Sequence, residues 1–202
     1  MGHKEYHTEH DLWQAFLSDD KDAFACLFDR YSDAMYAYGR KITADSELVK
    51  DTIQDVFVKL YNNRANLNHT ESIKGYLFVA LKRSLINQFH NRLMLSIEEE
   101  SDVQFEIELI AHRSFEEEDS SYDEEQKFLL QKALQELTPR QREAIYLYYI
   151  QEIPLSEIPS LLGMNYQSTR NLLHRAMIKL RQSVGVTSSV NMSLLLFQYL
   201  SK

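Results

Sequence analysis

The side chains with the clearest capacity for chemistry lie on one helix near the end of the chain. Its outward positions are predicted to carry amides, hydroxyls and cations: Gln167, Ser168, Arg170, Asn171, His174, Arg175 and Lys179. Amide side chains can bond adenine edges, and arginine can bond guanine edges, in the major groove of DNA. After Glu157 the sequence has no Asp or Glu, although its formal net charge is -8. This distribution predicts contact with a polyanion.

The helix before this face has a strong start signal. Thr138 is predicted to be its N-cap, with Pro139 at the first helical position and Gln141 completing a capping box. Apolar spacing then predicts an inward-facing stripe of three residues. These are Ile145, Tyr148 and Tyr149.

A short helix and a tight turn lead into the last helix. Ser156 can cap the short helix, Gly163 can end it, and Asn165 can cap the last helix. The buried side of the last helix is predicted to contain Leu173, Ala176, Leu180 and Val184, with Thr169 and Leu172 at its edge. The order of helix, glycine turn and basic amphipathic helix is typical of a helix-turn-helix. A three-helix bundle without a DNA role would show the same order.

A second acid-free window runs from Ser72 to Ile97. Ser72 or Thr70 can cap a helix that extends to about Arg92, with Tyr76 and Phe78 among its polar residues. The cations and amide of this helix are Lys74, Lys82, Arg83, Asn87, His90 and Arg92. Cations with interleaved aromatics suit unpaired bases, which stack on rings while the charges contact phosphates. A solvated basic face is the alternative interpretation.

An acidic face precedes this window. Asp51 and Asp55 are four residues apart, so they share one face of a helix, and Gln54 lies at its edge. Asp45 or Ser46 can cap that helix. Its core stripe is predicted to be Ile53, Val56, Phe57 and Leu60. The acidic face is either a solvated surface or a docking surface for a basic partner helix.

The composition predicts an all-α fold of two small helical domains, since 202 residues include only 5 Gly and 3 Pro. Two further core stripes are predicted at the start, separated by Ser18-Asp19-Asp20: Leu12, Trp13, Phe16 and Leu17, then Phe24, Leu27, Phe28 and Tyr31. The acid-rich stretch from Glu98 to Glu125 predicts a flexible linker. The predicted divisions are a first domain at 1–95, a linker at 96–126, a helix-turn-helix domain at 127–184 and an apolar tail at 185–202.

Several function classes are disfavoured. The single cysteine, Cys26, provides neither a disulfide framework nor a zinc cluster. The histidines His3, His7 and His10 are interpreted as a polar terminus rather than a metal site. The sequence contains no metalloprotease, phosphate-loop or nucleophile motif, so neither a catalytic residue nor a cofactor is predicted. The apolar run from Met192 to Leu200 is shorter than the roughly 20 residues of a membrane span. We therefore expect a soluble, cytoplasmic protein.

Both halves resemble parts of bacterial sigma factors. LTPRQREA, SEIPSLLGMN and LLHRAMIKLR resemble the fourth-region domain, and DAFACLFDRYSDAMYAYGRKI, DTIQDVFVKLY and SIKGYLFVALKRSLINQFHNR resemble the second-region domain. Their order, with a short acidic link between them, resembles the extracytoplasmic-function (ECF) group of the sigma-70 family. This resemblance covers roughly Ala15 to Val184. The QSTRNLLHRA segment and the apolar tail resemble members from Bacteroidetes.

The resemblance implies binding to core RNA polymerase, direction to promoters and no catalysis. Asp51, Gln54 and Asp55 would dock on the clamp helices of the β′ subunit, with the β subunit a further partner. The outward face of the last helix would bind the −35 element, and the linker would follow the RNA exit path. An anti-sigma factor is another expected partner. The −10 contacts, including a loop that holds a flipped base, would be Asn66, Asn68, His69, Lys74, Tyr76, Lys82, Arg83, Asn87, His90 and Arg92.

Some positions depart from the family pattern, and one rival function stays open. Lys82-Arg83 stands where the family often has Arg-Asn, which places base recognition there in question. Pro159 replaces a usual alanine and should shorten or kink its helix. Leu172 replaces a frequently polar residue. The rival is a helix-turn-helix regulator whose N-terminal half senses a ligand or forms a dimer.

Overall fold

The computed structural model describes residues 6–67, 70, 72–93, 120–185 and 196. The chain divides into two compact units, Met1–Val103 and Gln104–Lys202. Within the described residues all regular secondary structure is helical, which confirms the predicted all-α class. Residues 94–119, most of the predicted linker, lie outside the described part, as do all tail residues after Gly185 except the buried Leu196.

The described part of unit 1, residues 6–67, 70 and 72–93, contains four α-helices and a short 3-10 turn. Their bounds are α1 Glu9–Leu17, α2 Lys21–Ile42, α3 Ser46–Asn63, the 3-10 turn Arg64–Asn66, and α4 Ile73–Leu93. The predicted break between the first two helices is confirmed, because the Asp20 side chain accepts hydrogen bonds from the backbone of Asp22 and Ala23 at the start of α2. Asp45 similarly caps α3 by accepting from Leu48 N at 3.0 Å. Ser72 Oγ accepts from Gly75 N at 2.9 Å and caps α4.

Aromatic residues pack between the helices of unit 1, but two of them differ in burial from what the apolar spacing predicted. Phe78 is fully buried, and its ring stacks on Tyr38 of α2 at a centroid distance of 4.8 Å. The sequence suggested Phe78 as an aromatic ring interleaved with the basic residues of this helix and able to stack on bases, and its full burial excludes that role. Phe28, predicted as core, is partly exposed and rests edge-on against Phe57 at 4.9 Å. The spacing of residues along one helix does not show which second helix covers them. Here α2 packs over Phe78 of α4, and Phe28 of α2 lies at the edge of the core.

Four α-helices, with a π-helical extension after the second, are also found in the described residues of unit 2, 120–185 and 196. The bounds are α5 Ser120–Gln135, α6 Pro139–Ile145 with the π-helical turn Tyr146–Ile150, α7 Ile158–Leu162, and α8 Tyr166–Val184. α5 begins earlier than predicted, within the stretch assigned to the flexible linker.

The π-helical turn changes which tyrosine faces inward. Tyr146 is buried, whereas Tyr148 is 38% exposed, so the predicted inward stripe is wrong at that position. Gln151 N bonds the Tyr146 carbonyl at 2.9 Å, five residues back, which widens the turn. Ile150, five residues after Ile145, is buried, as are Tyr146 and Leu147.

The turn before α8 follows the predicted chemistry with one difference. Gly163 has a φ of 62°, and Asn165 caps α8 by accepting from Ser168 N at 2.8 Å. The predicted cap at Ser156 is wrong, because α7 begins at Ile158 and follows Glu157, which makes no side-chain cap bond. Pro159 falls in the first turn, where its missing N–H has no helical partner to lose. The predicted shortening or kink of α7 by Pro159 stays a prediction.

Candidate functional site

The acidic face of α3 is on the surface. Asp51, Gln54 and Asp55 are exposed, and they line one open hollow with side chains of α4. The α4 contributors are Ser84, Asn87 and Gln88. The sequence did not identify Val58, which is 57% exposed on the same helix. Its spacing from Asp51 and Asp55 is helical, so the face combines carboxylates with an apolar side chain.

A buried hydroxyl joins α3 to α4 beneath this hollow. Thr52 is fully buried, and its Oγ1 donates to the Leu48 carbonyl at 2.6 Å. The same oxygen accepts a hydrogen bond from Gln88 Nε2 at 3.0 Å. The acids of α3 and the polar residues of α4 are therefore held in a fixed register.

A groove of about 280 Å³ adjoins the hollow between α3 and α4. Tyr76, Arg83 and Asn87 of α4 line it, opposite Lys59 and Asn63 of α3. All three of these α4 residues are exposed, so the structure brings together three of the predicted DNA contacts along one groove. A groove with a ring, a guanidinium and amides along its walls can accept a planar, hydrogen-bonding group such as a base.

Tyr76 is the aromatic residue of α4 that reaches this surface. It is 37% exposed, and the rest of its ring packs 5.9 Å from Trp13. Partial burial raises the pKa of its hydroxyl, so the ring stays neutral at physiological pH. A neutral ring fixed at one edge suits stacking better than a mobile one, because less conformational freedom is lost on binding.

Three other predicted −10 residues that the structure describes do not line this groove. Lys74 and Lys82 are half-buried and do not line it, and Asn66 is exposed at the end of the 3-10 turn. Asn68 and His69 lie outside the described residues, as do the side chains of His90 and Arg92.

The outward face of α8 is as predicted. Ser168 is half-buried, and the other residues of the face are exposed: Gln167, Arg170, Asn171, His174, Arg175 and Lys179. Gln167 Nε2 lies 3.3 Å from Asn171 Oδ1, and Arg175 Nε lies 3.3 Å from the Asn171 carbonyl. These long, exposed bonds are weak enough to be exchanged for bonds to a ligand. Tyr166, which the sequence did not single out, is 52% exposed at the start of the helix.

α8 is anchored from its opposite side. Thr169 is fully buried, and its hydroxyl donates to the Asn165 carbonyl at 3.0 Å. The buried residues of the helix are Thr169, Leu173, Ala176, Met177, Leu180 and Val184. The predicted buried stripe is confirmed, and Met177 joins it. The polar face is thus presented by a rigid helix.

Family models match both units. The model of Sigma-70 region 2 matches residues 27–92, and that of Sigma-70, region 4 matches residues 127–180. The chain belongs to the sigma-70 family, in its ECF group. α1 and the start of α2 precede the region 2 match, although α1 packs against α2 in the same core.

Individual relatives are distant. This sigma factor is 23% identical to the ECF RNA polymerase sigma factor BldN of Streptomyces coelicolor over 171 residues, which are 82% of this chain and 62% of BldN. It is also 23% identical to SigM of Bacillus subtilis, over 77% of this chain and 91% of SigM. The resemblance to Bacteroidetes members stays a prediction.

Two solved structures share the fold. CnrH in complex with the cytosolic domain of CnrY has a TM-score of 0.55 and 18% identity, and the match covers 89% of this chain and 99% of that one. RpoE in complex with the anti-sigma factor NepR from Bartonella quintana has a TM-score of 0.53 and 20% identity, with coverage of 85% and 99%. At such identities these likenesses show the fold alone.

Neither a metal site nor a membrane helix is found in the described residues. Across residues 6–67, 70, 72–93, 120–185 and 196, no cluster of His, Cys, Asp and Glu could hold a metal ion. In the same part of the chain, no helix is long and apolar enough to cross a membrane.

Proposed function

We propose that this sigma factor binds core RNA polymerase through α3 and contacts promoter DNA through α4 and α8. The observation that supports this most is the register between α3 and α4. It places the acids Asp51 and Asp55 beside Asn87 in one hollow, and Asn87 also lines the groove that contains Arg83. A polymerase-docking surface and a base-capture surface are therefore neighbours on one rigid unit.

The α3 face suits a basic helix. Its exposed acids both precede Val58 on the helix, and Lys59 lines the same hollow. A partner helix that presents cations to the two acids and an apolar side chain to Val58 would match the charge and the apolar surface of this face. We assign this role to the clamp helices of the polymerase β′ subunit, as the family resemblance implies. Additional contact with the β subunit is part of the same proposal.

Promoter opening would use binding energy, without catalysis by this chain. Polymerase holds the duplex, and the groove beside Tyr76 captures an unstacked base while Arg83 neutralises a phosphate. Unstacking costs a few kcal/mol per base, and stacking on an aromatic ring returns about 1–3 kcal/mol. Several captured bases, together with polymerase contacts, can then favour the open state.

The α8 face would recognise the −35 element in the major groove. Asn171 and Arg175 lie on the outward side, where amides select adenine and guanidinium groups select guanine. Lys179 lies one turn further along and would contact a phosphate, which adds affinity but no selectivity.

The cellular setting follows from these partners. The protein would act in the cytoplasm, where polymerase and chromosome are found, and an anti-sigma factor would restrain it by covering its polymerase-binding face. This part rests on family likeness, including the RpoE structure solved with the anti-sigma factor NepR.

Run-off transcription on genomic DNA, with and without core polymerase, tests the proposal. We expect start-site-specific transcripts only when this chain and core polymerase are both present. A gel-shift assay on a mapped promoter should show weak binding by the free chain and specific binding by the holoenzyme. Tight duplex binding by the free chain, with no transcripts, would instead indicate a helix-turn-helix regulator.

A further inference from the structure

A cluster of three side chains joins the turn before α2 to the 3-10 turn after α3. Arg64 Nη2 lies 2.6 Å from Asp19 Oδ1, and the Tyr61 hydroxyl donates to the same oxygen at 3.0 Å. Arg64 Nη1 donates to the Tyr61 carbonyl at 2.8 Å, and its guanidinium lies 4.2 Å from the centroid of the Tyr61 ring. A carboxylate, a carbonyl and an aromatic face therefore hold one guanidinium.

The cluster is itself anchored in unit 1. The Tyr61 ring lies 5.0 Å from the ring of Phe24 on α2. The 3-10 turn Arg64–Asn66 packs against both α1 and α3. Movement of this turn would therefore require Arg64 to leave Asp19.

The backbone of Asp19 adopts a conformation that few residues other than glycine, asparagine and aspartate adopt. Its φ is 65°, in the left-handed region that glycine adopts more readily than any other residue. The ion pair is largely exposed, with side-chain exposures of 53% for Asp19 and 23% for Arg64. Exposed ion pairs contribute little to folding stability, so the main effect of the carboxylate is to fix the position of Arg64.

The electrostatics agree with a persistent ion pair. The bond from Arg64 lowers the pKa of Asp19, and the bond from Tyr61 lowers it further. The Asp19 carboxylate is therefore charged at neutral pH and keeps its attraction for the guanidinium.

The position of the cluster connects it to the proposed DNA contacts. Arg64 begins the turn that ends at Asn66, a predicted −10 contact, and Leu67 N closes the turn by donating to the Arg64 carbonyl at 3.2 Å. Asp19 lies before residues 27–92, the part that matches Sigma-70 region 2. The contact therefore joins Asp19, which precedes the part of the chain matched by the region 2 model, to the 3-10 turn that ends at the proposed DNA contact Asn66.

We propose that Asp19 is a positioning residue for promoter opening, which acts through Arg64 to fix the 3-10 turn and Asn66 before DNA arrives. This inference rests on the proposed function, because only a sigma factor gives Asn66 an unpaired base to contact. A turn that is already ordered loses less conformational freedom on binding. Without the carboxylate, base capture must also order the turn.

The test compares Asp19→Gly and Asp19→Asn with the wild-type chain. Glycine relieves the positive φ while removing the carboxylate, so stability should be kept. Asparagine keeps the acceptor oxygen without the charge. Asp33→Asn is the matched control, because Asp33 is an exposed carboxylate on α2. All variants are used as full chains, and melting temperatures are measured first.

Two readouts separate positioning from folding and from the proposed function. Hydrogen exchange of residues 64–67 in the free chain should be about threefold faster in Asp19→Gly, intermediate in Asp19→Asn and unchanged in Asp33→Asn. Open complexes are then measured by permanganate reactivity of thymines, with core polymerase, on the promoter that gives the strongest wild-type run-off transcript. Asp19→Gly should form them roughly threefold more slowly, with unchanged affinity for core polymerase.

Unchanged exchange at residues 64–67 in Asp19→Gly would overturn the positioning role. Faster exchange with a normal rate of opening would overturn its part in promoter opening. A parallel loss of melting temperature and core affinity would show a purely structural role and would also overturn the proposal. If the wild-type chain gives no transcript with core polymerase, the proposed function fails, and the exchange result still decides whether Asp19 positions the turn.

Discussion

Gln88 Nε2 on α4 donates a hydrogen bond to Thr52 Oγ1 on α3 at a distance of 3.0 Å. Thr52 is buried, and its hydroxyl is at the same time committed to the Leu48 carbonyl. A buried hydroxyl with both a donor and an acceptor partner fixes the relative position of two helices more sharply than apolar contact does. Here it sets the acids of α3 beside Asn87 and Ser84 of α4.

Loss of the Thr52 hydroxyl should weaken the α3–α4 contact. We expect Thr52→Val to lower the free energy of unfolding by about 1 kcal/mol, because Gln88 then lacks its partner. Urea denaturation measures this loss. In a double-mutant cycle with Gln88→Ala, the two losses should be less than additive. Strict additivity would show that the bond contributes nothing beyond the individual side chains.

Reversal of the α3 charges should abolish polymerase binding. The double variant Asp51→Arg with Asp55→Arg should raise the Kd for core polymerase on the order of 100-fold or more, because two attractive contacts become repulsive. Fluorescence anisotropy with labelled protein measures the Kd, and circular dichroism checks the fold. The matched control is Asp29→Arg with Asp33→Arg, an exposed pair at the same spacing on α2. An equal loss in both double variants would indicate a general charge effect instead of a docking face.

Removal of the Arg175 guanidinium should relax promoter selectivity. We expect Arg175→Ala to cost about 1–3 kcal/mol in holoenzyme binding and to weaken the preference at one base pair of the −35 element. Competition binding with single-base promoter variants measures both effects. Arg140→Ala, at an exposed arginine at the start of α6, is the control. A uniform loss on every sequence would assign Arg175 to a phosphate.

The contact between α2 and α3 leaves no room for a side chain at Gly39. A Cβ there would lie 2.6 Å from Val49 Cγ1, well inside van der Waals contact. Gly39→Ala should therefore lower the free energy of unfolding by about 1–3 kcal/mol, despite the better helix propensity of alanine. Thermal or urea unfolding tests this, and Val49→Ala in the same chain should restore part of the loss. A more stable Gly39→Ala variant would show that the helices can separate at this point without cost.

Local signals in the sequence determined much of this protein. Several helix ends were predicted correctly, because caps depend on hydrogen bonds within a few residues. Four predicted residues cap helix N-termini, and one glycine ends a helix: Asp20, Asp45, Thr138 and Asn165, then Gly163. The outward faces of α3 and α8 were also predictable, since a helix that buries one stripe must expose the opposite one. Charge distribution alone indicated two acid-free windows and their separation by acids.

Contacts between distant residues were decided only by the tertiary structure. Tyr76 and Phe78 are two aromatic residues close together in the sequence, and the sequence pattern does not distinguish their roles. In the structure, α2 covers Phe78, whereas Tyr76 lines the groove. Within the π-helical turn Ile150 is buried and Tyr148 is partly exposed, and the backbone bonds of this turn reach five residues back. The contact of Asp19 with Arg64 joins positions far apart in the chain. Periodicity describes one helix at a time, whereas these outcomes depend on where a second element passes.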